Sequence, residues 1–281
     1  MKGDRNRFGV LKPLFALWVF FGVCLGVGLW LTPEGTPSLD RDVSVFYSLD
    51  WLESGILYAW LHLFVFIPVF ALSFDQKVSY FSHWRHLFPA IFYVAVPFII
   101  WDAFFTLHGI WGFNEMYLSG VSLLGLPAEE WLFFITVPFA CVFIYDCLNA
   151  YFPVNKLIYR EHSVTVLLLL ILMVFGLFHM GQIYSWSASL IAVLSLLWVK
   201  KRGEIDFLAR FYRAFLVVLI PFILTDGLLT GGFTMEPIVL YNPENFSGWR
   251  LVSIPVEDFI YGFALLLQVN YLYVLFRRSS R

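Results

Sequence analysis

Long apolar runs alternate with short polar segments along the whole chain. A membrane-spanning helix needs roughly 20 mostly apolar residues, and eight runs of about that length can be marked. They cover residues 11–31, 55–73, 86–106, 128–148, 163–179, 182–199, 209–225 and 255–276. Only Met180 and Gly181 lie between the runs at 163–179 and 182–199, which predicts a tight helical hairpin there. The pattern predicts an all-α polytopic membrane bundle of about eight transmembrane helices in a lipid bilayer.

The basic residues provide an independent test of this count, because Lys and Arg collect at the cytoplasmic ends of spans. With eight spans, both termini lie on one face, side A, and the other face is side B. All but two of the 18 Lys and Arg residues then fall on side A, the exceptions being Arg41 and Arg250. We therefore expect a multi-pass protein of the cell membrane with both termini in the cytoplasm.

The composition excludes several classes of protein. Hydrophobic residues make up 60% of the chain and charged residues 14%, against roughly 45–50% and about 25% in soluble domains. A net charge of −2 gives no basic surface for a nucleic-acid partner. The cysteines Cys24, Cys141 and Cys147 form no CxxC pair, so neither a disulfide framework nor a zinc site is indicated.

The chain also contains a faint internal repeat. The first copy has Asp102 at the end of a span, then a loop and the segment LPAEEWLFF at 126–134. The second has Asp226 at the end of a span, then a loop and the segment IPVEDFIYG at 254–262. The offset between the copies is 128 for the two segments and 124 for the two aspartates, because the second loop is four residues longer.

The repeat predicts the domain organisation. Residues 1–54 form an extra N-terminal transmembrane anchor and loop, and residues 55–152 form the first repeat. Residues 153–207 form a linking helical hairpin, and residues 208–281 form the second repeat. Equivalent spans lie four helices apart and run in the same direction, so the repeat is parallel. A parallel repeat implies a pseudo-two-fold axis along the membrane normal.

Because equivalent spans run in the same direction, all the repeated acids lie on side B, where the two groups would face each other across a shared cavity. These acids are Asp102, Glu129, Glu130, Asp226, Glu257 and Asp258. Successive helix residues point about 100° apart, so one acid of each adjacent pair faces the cavity while the other hydrogen-bonds or caps. The sequence leaves open which one does which. Acids in a first turn are also ordinary helix starts, because the helix dipole favours them there.

An acid beside an aromatic wall suits the protonation of an alkene. A buried carboxyl group tends to stay protonated, which makes it a candidate general acid, and aromatic faces stabilise cations. The candidate substrate-binding aromatics are Phe133, Phe134, Trp101, Trp111, Phe259 and Tyr261. Arg250 is the only basic residue in the two loops that flank the acids and is a candidate partner for one carboxyl group.

These residues resemble a known family. The segments Pro127-x-Glu129-Glu130-x-x-Phe133-Phe134 and Pro255-x-Glu257-Asp258 look like the paired PxE(E/D) motifs of the integral-membrane lycopene β-cyclases. The resemblance covers about residues 55–276, so the first span and its loop depart from the family. The second motif departs as well, because Tyr261-Gly262 replaces the Phe-Phe pair.

The resemblance implies a redox-neutral isomerisation of lycopene or a related acyclic carotene. A ψ end is protonated at C2, the C5=C6 alkene attacks the cation at C1, and loss of the C6 proton leaves a β ring. Glu129 and Glu257 would then be the acids, with Glu130 and Asp258 as partners or proton acceptors. Asp102 and Asp226 would orient them. The products would be γ-carotene and β-carotene, and the resemblance also allows other carotenoid enzymes as partners.

We expect no cofactor and no metal ion, because no GxGxxG motif follows a strand and no metal-ligand spacing occurs. Three other functions stay open at this stage. A carotenoid hydratase would capture the same cation with water. A small proton-coupled carrier also combines parallel repeats with intramembrane acids, although its acids should lie near the midplane. The third alternative is a purely structural membrane protein, and the duplicated motif argues against it.

Overall fold

The structure, a computed structural model, describes residues 2–31, 39–41 and 49–279, and of residues 2–10, 31 and 50 it describes the backbone alone. Met1, residues 32–38 and 42–48, and residues 280–281 lie outside the described residues. With them lies part of the predicted N-terminal anchor and loop, residues 1–54.

Eight α-helices run through the described part of the chain. They are α1 (Lys2–Leu31), α2 (Leu57–Leu72), α3 (Trp84–Leu107), α4 (Ala128–Tyr151), α5 (Glu161–Phe178), α6 (Ile183–Lys200), α7 (Ile205–Leu229) and α8 (Val256–Arg278). Each overlaps one of the eight predicted runs, and α5 and α6 form the tight hairpin. The all-α polytopic bundle predicted from the sequence is confirmed.

The helices have the lengths that a bilayer requires. Seven of those described are long and apolar enough to cross a membrane. The eighth, α2, has 16 residues, or about 24 Å at 1.5 Å per residue, a little less than the roughly 30 Å of a hydrocarbon core. Helices of this number, length and composition are those of a multi-pass membrane protein.

Short strands on side B connect the helices. They are β1 (Trp111–Phe113), β2 (Ser122–Leu123), β3 (Leu126–Pro127), β4 (Val239–Tyr241), β5 (Arg250–Leu251) and β6 (Ile254–Pro255). Two antiparallel hairpins, β2–β3 and β5–β6, lie immediately before α4 and α8. Each hairpin ends in a proline with an extended backbone, so the helix begins at the next residue and its acids fall in the first turn.

The two copies meet in the antiparallel pair of β1 and β4. The register pairs Trp111 with Tyr241, Gly112 with Leu240, and Phe113 with Val239. Adding the repeat offset of 128 to one strand gives the other strand, so exchanging the copies reproduces the same pairing. The pseudo-two-fold axis therefore passes between Gly112 and Leu240.

Helix packing follows the same symmetry. The contact of α2 with α4 is matched by that of α6 with α8, and the contact of α3 with α8 is matched by that of α7 with α4. Helices α4 and α8 also contact each other, while α1 and α5 pack against α6. The repeat therefore relates α2, α3 and α4 to α6, α7 and α8 and leaves α1 and α5 without an equivalent in the other copy among the described residues.

Candidate active site

The first acidic residue of each pair binds the loop before its own helix. Glu129 Oε1 accepts a hydrogen bond from the Ser119 N–H (2.8 Å), and Glu257 Oε1 accepts one from the Ser247 N–H (2.7 Å). The two serines are related by the repeat offset of 128. Glu257 Oε1 also accepts a 2.5 Å bond from the Ser185 hydroxyl. These two carboxyl groups hold the side-B loops against the helices.

The second acidic residue of each pair is held by tyrosine hydroxyls from other elements. Tyr58 on α2 donates to Glu130 Oε2 (2.7 Å). Tyr184 on α6 donates to Asp258 Oδ1 (2.5 Å), and Tyr241 on β4 donates to Asp258 Oδ2 (2.7 Å). Tyr184 lies 126 residues after Tyr58, which is close to the repeat offset, so the two contacts are equivalent.

Tyr241 distinguishes the second copy from the first. Burial raises the pKa of Tyr241 well above its ordinary value, and the nearby Asp258 carboxyl adds to this effect. The Tyr241 hydroxyl therefore keeps its proton and acts as a donor. Its equivalent in the first copy is Phe113, which has no hydroxyl, so within the described part of the chain Asp258 accepts one tyrosine bond more than Glu130 does.

The two aspartates near the ends of α3 and α7 lie close to these pairs. Trp111 Nε1 donates to Asp102 Oδ1 (2.7 Å), and Asp102 Oδ2 is buried with no hydrogen-bond partner among the described residues. Asp226 lies within electrostatic range of Asp258 and Glu130. Asp102 likewise lies within electrostatic range of Glu130, so each aspartate stands beside the second acid of a pair.

Side chains from both copies enclose a small cavity of about 70 Å³ beside the β1–β4 pair. Four of the six predicted acids line it: Asp102, Glu130, Asp226 and Asp258. Tyrosine, tryptophan and phenylalanine form most of the remaining wall, at Tyr58, Trp111, Phe113, Phe133, Tyr184, Phe222, Tyr241 and Tyr261. Glu129 and Glu257 are not part of the lining. The structure thus brings one acid of each adjacent pair into the shared cavity.

The predicted aromatic residues divide in the same way. Three of the six line the cavity: Phe133, Trp111 and Tyr261. Trp101 lies against Tyr261, with 4.9 Å between ring centres. Phe134 is buried in the core, and Phe259 packs edge-on against Phe222 at 5.0 Å. Phe134 also packs edge-on against Phe133 at 5.4 Å, so these three residues support the wall from outside it.

Arg250 contributes positive charge near the second copy. Its Nη1 donates to the Ser253 carbonyl oxygen (2.6 Å), and its guanidinium group lies 4.9 Å from the Phe246 ring centre and 5.5 Å from that of Tyr241. It acts on Asp258 through its electrostatic field. Among the described residues, the Arg250 side chain directly contacts a carbonyl group and two rings, and its effect on Asp258 is exerted at a distance.

Sequence reasoning missed the three tyrosines that hold the second acids. The equivalence of Tyr58 and Tyr184 could not be recognised from the sequence, because α2 and α6 share little beyond apolar composition. The signal available was their separation of 126 residues, close to the repeat offset. Tyr241 has no tyrosine equivalent, so the repeat could not have pointed to it.

The fold and the cavity define a class: a multi-pass membrane protein with an internal, carboxyl-lined site to which two repeat copies contribute. The chain belongs to the lycopene cyclase family, because the sequence model of that family matches residues 55–148 and 181–276, more than half of the chain. The two matched stretches contain α2 to α4 and α6 to α8 except for the last three residues of α4 and the last two of α8. Each therefore coincides with one copy of the structural repeat.

One curated protein is similar to part of this chain. The chain is 30% identical over 96 residues to the bifunctional lycopene cyclase/phytoene synthase of Neurospora crassa. The matched stretch is 33% of this chain and 16% of that protein, so the similarity spans about a sixth of the relative's length. No solved structure matches the chain.

Proposed function

We propose that this protein is a lycopene β-cyclase, which converts the ψ end groups of lycopene to β rings in carotenoid biosynthesis. The observation that carries the proposal is the convergence of Asp102, Glu130, Asp226 and Asp258 on one aromatic-walled cavity within the helical bundle. Membership of the lycopene cyclase family supports the substrate class. The substrate is lycopene or a related acyclic carotene, reached from the lipid bilayer.

The proposed reaction starts with a proton transfer to C2 of the ψ end. The cation at C1 is attacked by the C5=C6 alkene, which closes the ring, and the C6 proton then leaves to form the β ring. One proton enters and one leaves, so the product is an isomer of the substrate. The enzyme is therefore an isomerase-type intramolecular lyase, and this chemistry calls for no redox cofactor.

Glu130 is the proposed proton donor and Asp258 the proposed acceptor. Hydrogen bonds donated to a carboxylate and a nearby positive charge both favour its charged form. Asp258 receives two tyrosine bonds and the field of Arg250, whereas among the residues that the structure describes Tyr58 is the one tyrosine that donates to Glu130. The proton that Asp258 takes up returns to Glu130 within the cavity that both line. Asp102 and Asp226 line the same cavity and orient the pair.

This assignment changes the roles first expected for Glu129 and Glu257. Both accept hydrogen bonds from loop N–H groups and lie outside the cavity lining. We propose that they position the loops and that their neighbours Glu130 and Asp258 meet the substrate. Trp111, Phe133 and Tyr261 face the developing cation, and aromatic faces attract cations by about 0.5–2 kcal/mol each.

We propose the cell membrane as the location, with both termini in the cytoplasm. The basis is the distribution of basic residues, which places Arg41 and Arg250 alone on side B. With this orientation the carboxyl-lined cavity lies near the outer face of the membrane. Labelling of Ser82→Cys and Ser122→Cys with a membrane-impermeant maleimide tests this orientation.

The test of the proposed function is a pigment profile in a lycopene-accumulating bacterial host. We expect cyclised products, β-carotene if both ends react and γ-carotene if one does. The matched control is the double variant Glu130→Gln/Asp258→Asn at equal membrane content, which should leave lycopene unchanged. Hydroxylated acyclic products would identify a hydratase. Unchanged lycopene with inserted unmodified protein would overturn the cyclase assignment.

A further inference from the structure

A larger apolar cavity continues from the acid site towards lipid. It has a volume of about 260 Å³ and is lined by α2, α4, α7 and α8, and we call it the α2–α7 channel. Tyr58, Phe133, Asp226 and Gly262 line both this channel and the acid cavity. Along α4 it extends from Phe133 to Ile144, or about 16 Å at 1.5 Å per residue. The channel therefore leads straight to the carboxyl groups.

The channel opens sideways between α2 and α7. Phe64 on α2 and Leu224 on α7 line it, yet 71% and 59% of their surfaces are exposed. Apolar surfaces at this depth of a membrane bundle face lipid chains. A long apolar molecule dissolved in the bilayer can therefore enter here without crossing water.

The repeat creates an equivalent path between α3 and α6, but bulky residues fill it. Thr225, which lines the open channel, corresponds to Trp101, and Gly262 corresponds to Phe134. Trp101 and Phe134 are 2% and 1% exposed. The open path thus has a threonine and a glycine where the equivalent path has two large aromatic rings.

Helix α1 packs on the lipid side of this second path, and the apolar cavity of about 850 Å³ that it lines with α3 reaches Trp101 but none of the four acids. Trp18 lies 4.8 Å from the ring centre of Phe98, and Phe21 lies 5.0 Å from that of Trp101. Trp18 Nε1 also donates to Gln268 Oε1 (3.0 Å), which ties α1 to α8. Helix α1 precedes both stretches that match the family, so the seal comes from outside the duplicated unit.

We propose that the end group of an acyclic carotene reaches the carboxyl groups only through the α2–α7 channel, where its polyene chain lies, and that α1 and Trp101 seal the equivalent path. This inference rests on the proposed function for the identity of the substrate. One end group at a time occupies the site. Forming two rings then requires the monocyclic intermediate to leave the α2–α7 channel and to insert its other end.

The experiment narrows the channel with bulky residues, one of which is the tryptophan that the equivalent path carries at Trp101. Thr225→Trp and Gly262→Leu are compared with Leu216→Trp, a lipid-facing control on α7 outside the channel lining. Glycine is the weaker helix former, so Gly262→Leu is compatible with α8. We expect at least a ten-fold loss of lycopene conversion in the two channel variants, with a smaller loss in Gly262→Ala, and no loss in Leu216→Trp.

A binding measurement separates the channel from the chemistry. Lycopene is achiral, so its induced circular dichroism reports occupancy of a protein site, and Glu130→Gln protein is used to prevent turnover. We expect the Glu130→Gln protein to give a signal. The signal should disappear when Thr225→Trp or Gly262→Leu is combined with Glu130→Gln, and it should persist when Leu216→Trp is combined with it. A signal that survives both channel substitutions would overturn the channel and leave lipid chains as its occupant. A channel-dependent signal, together with no cyclic product from the unmodified protein, would instead overturn the proposed function alone.

Discussion

Adjacent carboxyl groups in each copy have different surroundings because successive helix residues point about 100° apart. Glu129 turns towards the Ser119 N–H, and Glu130 turns towards Tyr58 and the cavity. The same division holds for Glu257 and Asp258. A Pro-x-acid-acid motif therefore supplies one residue that fixes a loop and one that faces the cavity.

Removing the acid from these two positions should have unequal effects. Glu130→Gln keeps the shape of the side chain but cannot donate a proton as a carboxylic acid does, so we expect conversion to fall by about 10²–10⁴-fold. Glu129→Gln keeps a carbonyl oxygen for the Ser119 N–H and should retain activity within about ten-fold of the unmodified protein, since a typical hydrogen bond contributes about 1 kcal/mol. The measurement is initial rate per inserted protein in reconstituted membranes. A larger loss in Glu129→Gln than in Glu130→Gln would reverse the assignment.

The sequence could predict which acids gather but not which ones face inward. Asp102, Asp226 and the two acidic pairs repeat at nearly constant offsets, and helix parity then puts them on one face of the membrane. The rotation of α4 and α8 about their axes depends on packing against α2, α3, α6 and α7. That packing involves residues more than 70 positions away, such as Tyr58 for Glu130, and apolar patterns alone do not reveal it.

Helices α2 and α6 occupy equivalent positions in the two copies of the repeat. Each packs against the helix that carries an acidic pair, and each donates a tyrosine hydroxyl to its second acid. The predicted linking hairpin at 153–207 includes α6, whereas the second family match starts at residue 181. We therefore propose to count α6 with the second copy and α5 alone as the link.

The equivalence of α2 and α6 predicts matched effects of two substitutions. Tyr58→Phe and Tyr184→Phe each remove one hydroxyl donor to a cavity acid, and we expect each to lower the rate by up to about ten-fold, because a typical hydrogen bond contributes about 0.5–1.5 kcal/mol. Tyr159→Phe, at an exposed side-A position, is the control and should leave the rate unchanged. Rates would be measured on equal amounts of inserted protein. A loss confined to one of the two tyrosines would show that the elements are equivalent in position only.

Apolar run length was enough to predict the helices, but it could not group them. A run of about 20 apolar residues has few alternatives to a spanning helix, which is why each of α1 to α8 overlaps a predicted run. Membership of a copy depends on specific contacts, and α6 carries only scattered polar residues such as Tyr184 and Ser185 to mark them. The strands β1 and β4 are three residues long, too short for a periodic pattern to indicate.

The whole molecule combines a symmetric centre with an asymmetric periphery. Copies related by the pseudo-two-fold axis supply α2 to α4 and α6 to α8, and four acids from both copies line one cavity. Around this centre, α1 seals one side and the α2–α7 channel opens the other. A shared site thus arises from duplication, and a preferred direction of access arises from residues that differ between the copies together with α1, which has no equivalent among the described residues.

The eight-span topology predicts which loops lie outside the cell. In a background with all three native cysteines replaced by alanine, Ser122→Cys on side B should react with a membrane-impermeant maleimide in intact cells. Ser82→Cys on side A should react only after permeabilisation. Both positions are exposed, and the cysteine-free protein provides the blank. Labelling of both positions from the same side would mean that the number of spans between them is even.

The pairing of β1 with β4 has a consequence for the origin of the molecule. Its register maps onto itself when the copies are exchanged, which is the property of an isologous contact between identical subunits. A chain with one copy could form the same contact with a second molecule of itself, since no residue unique to either copy is needed for the backbone bonds. Such a homodimer would have two identical channels, and duplication and fusion of its gene would have freed one of them to close.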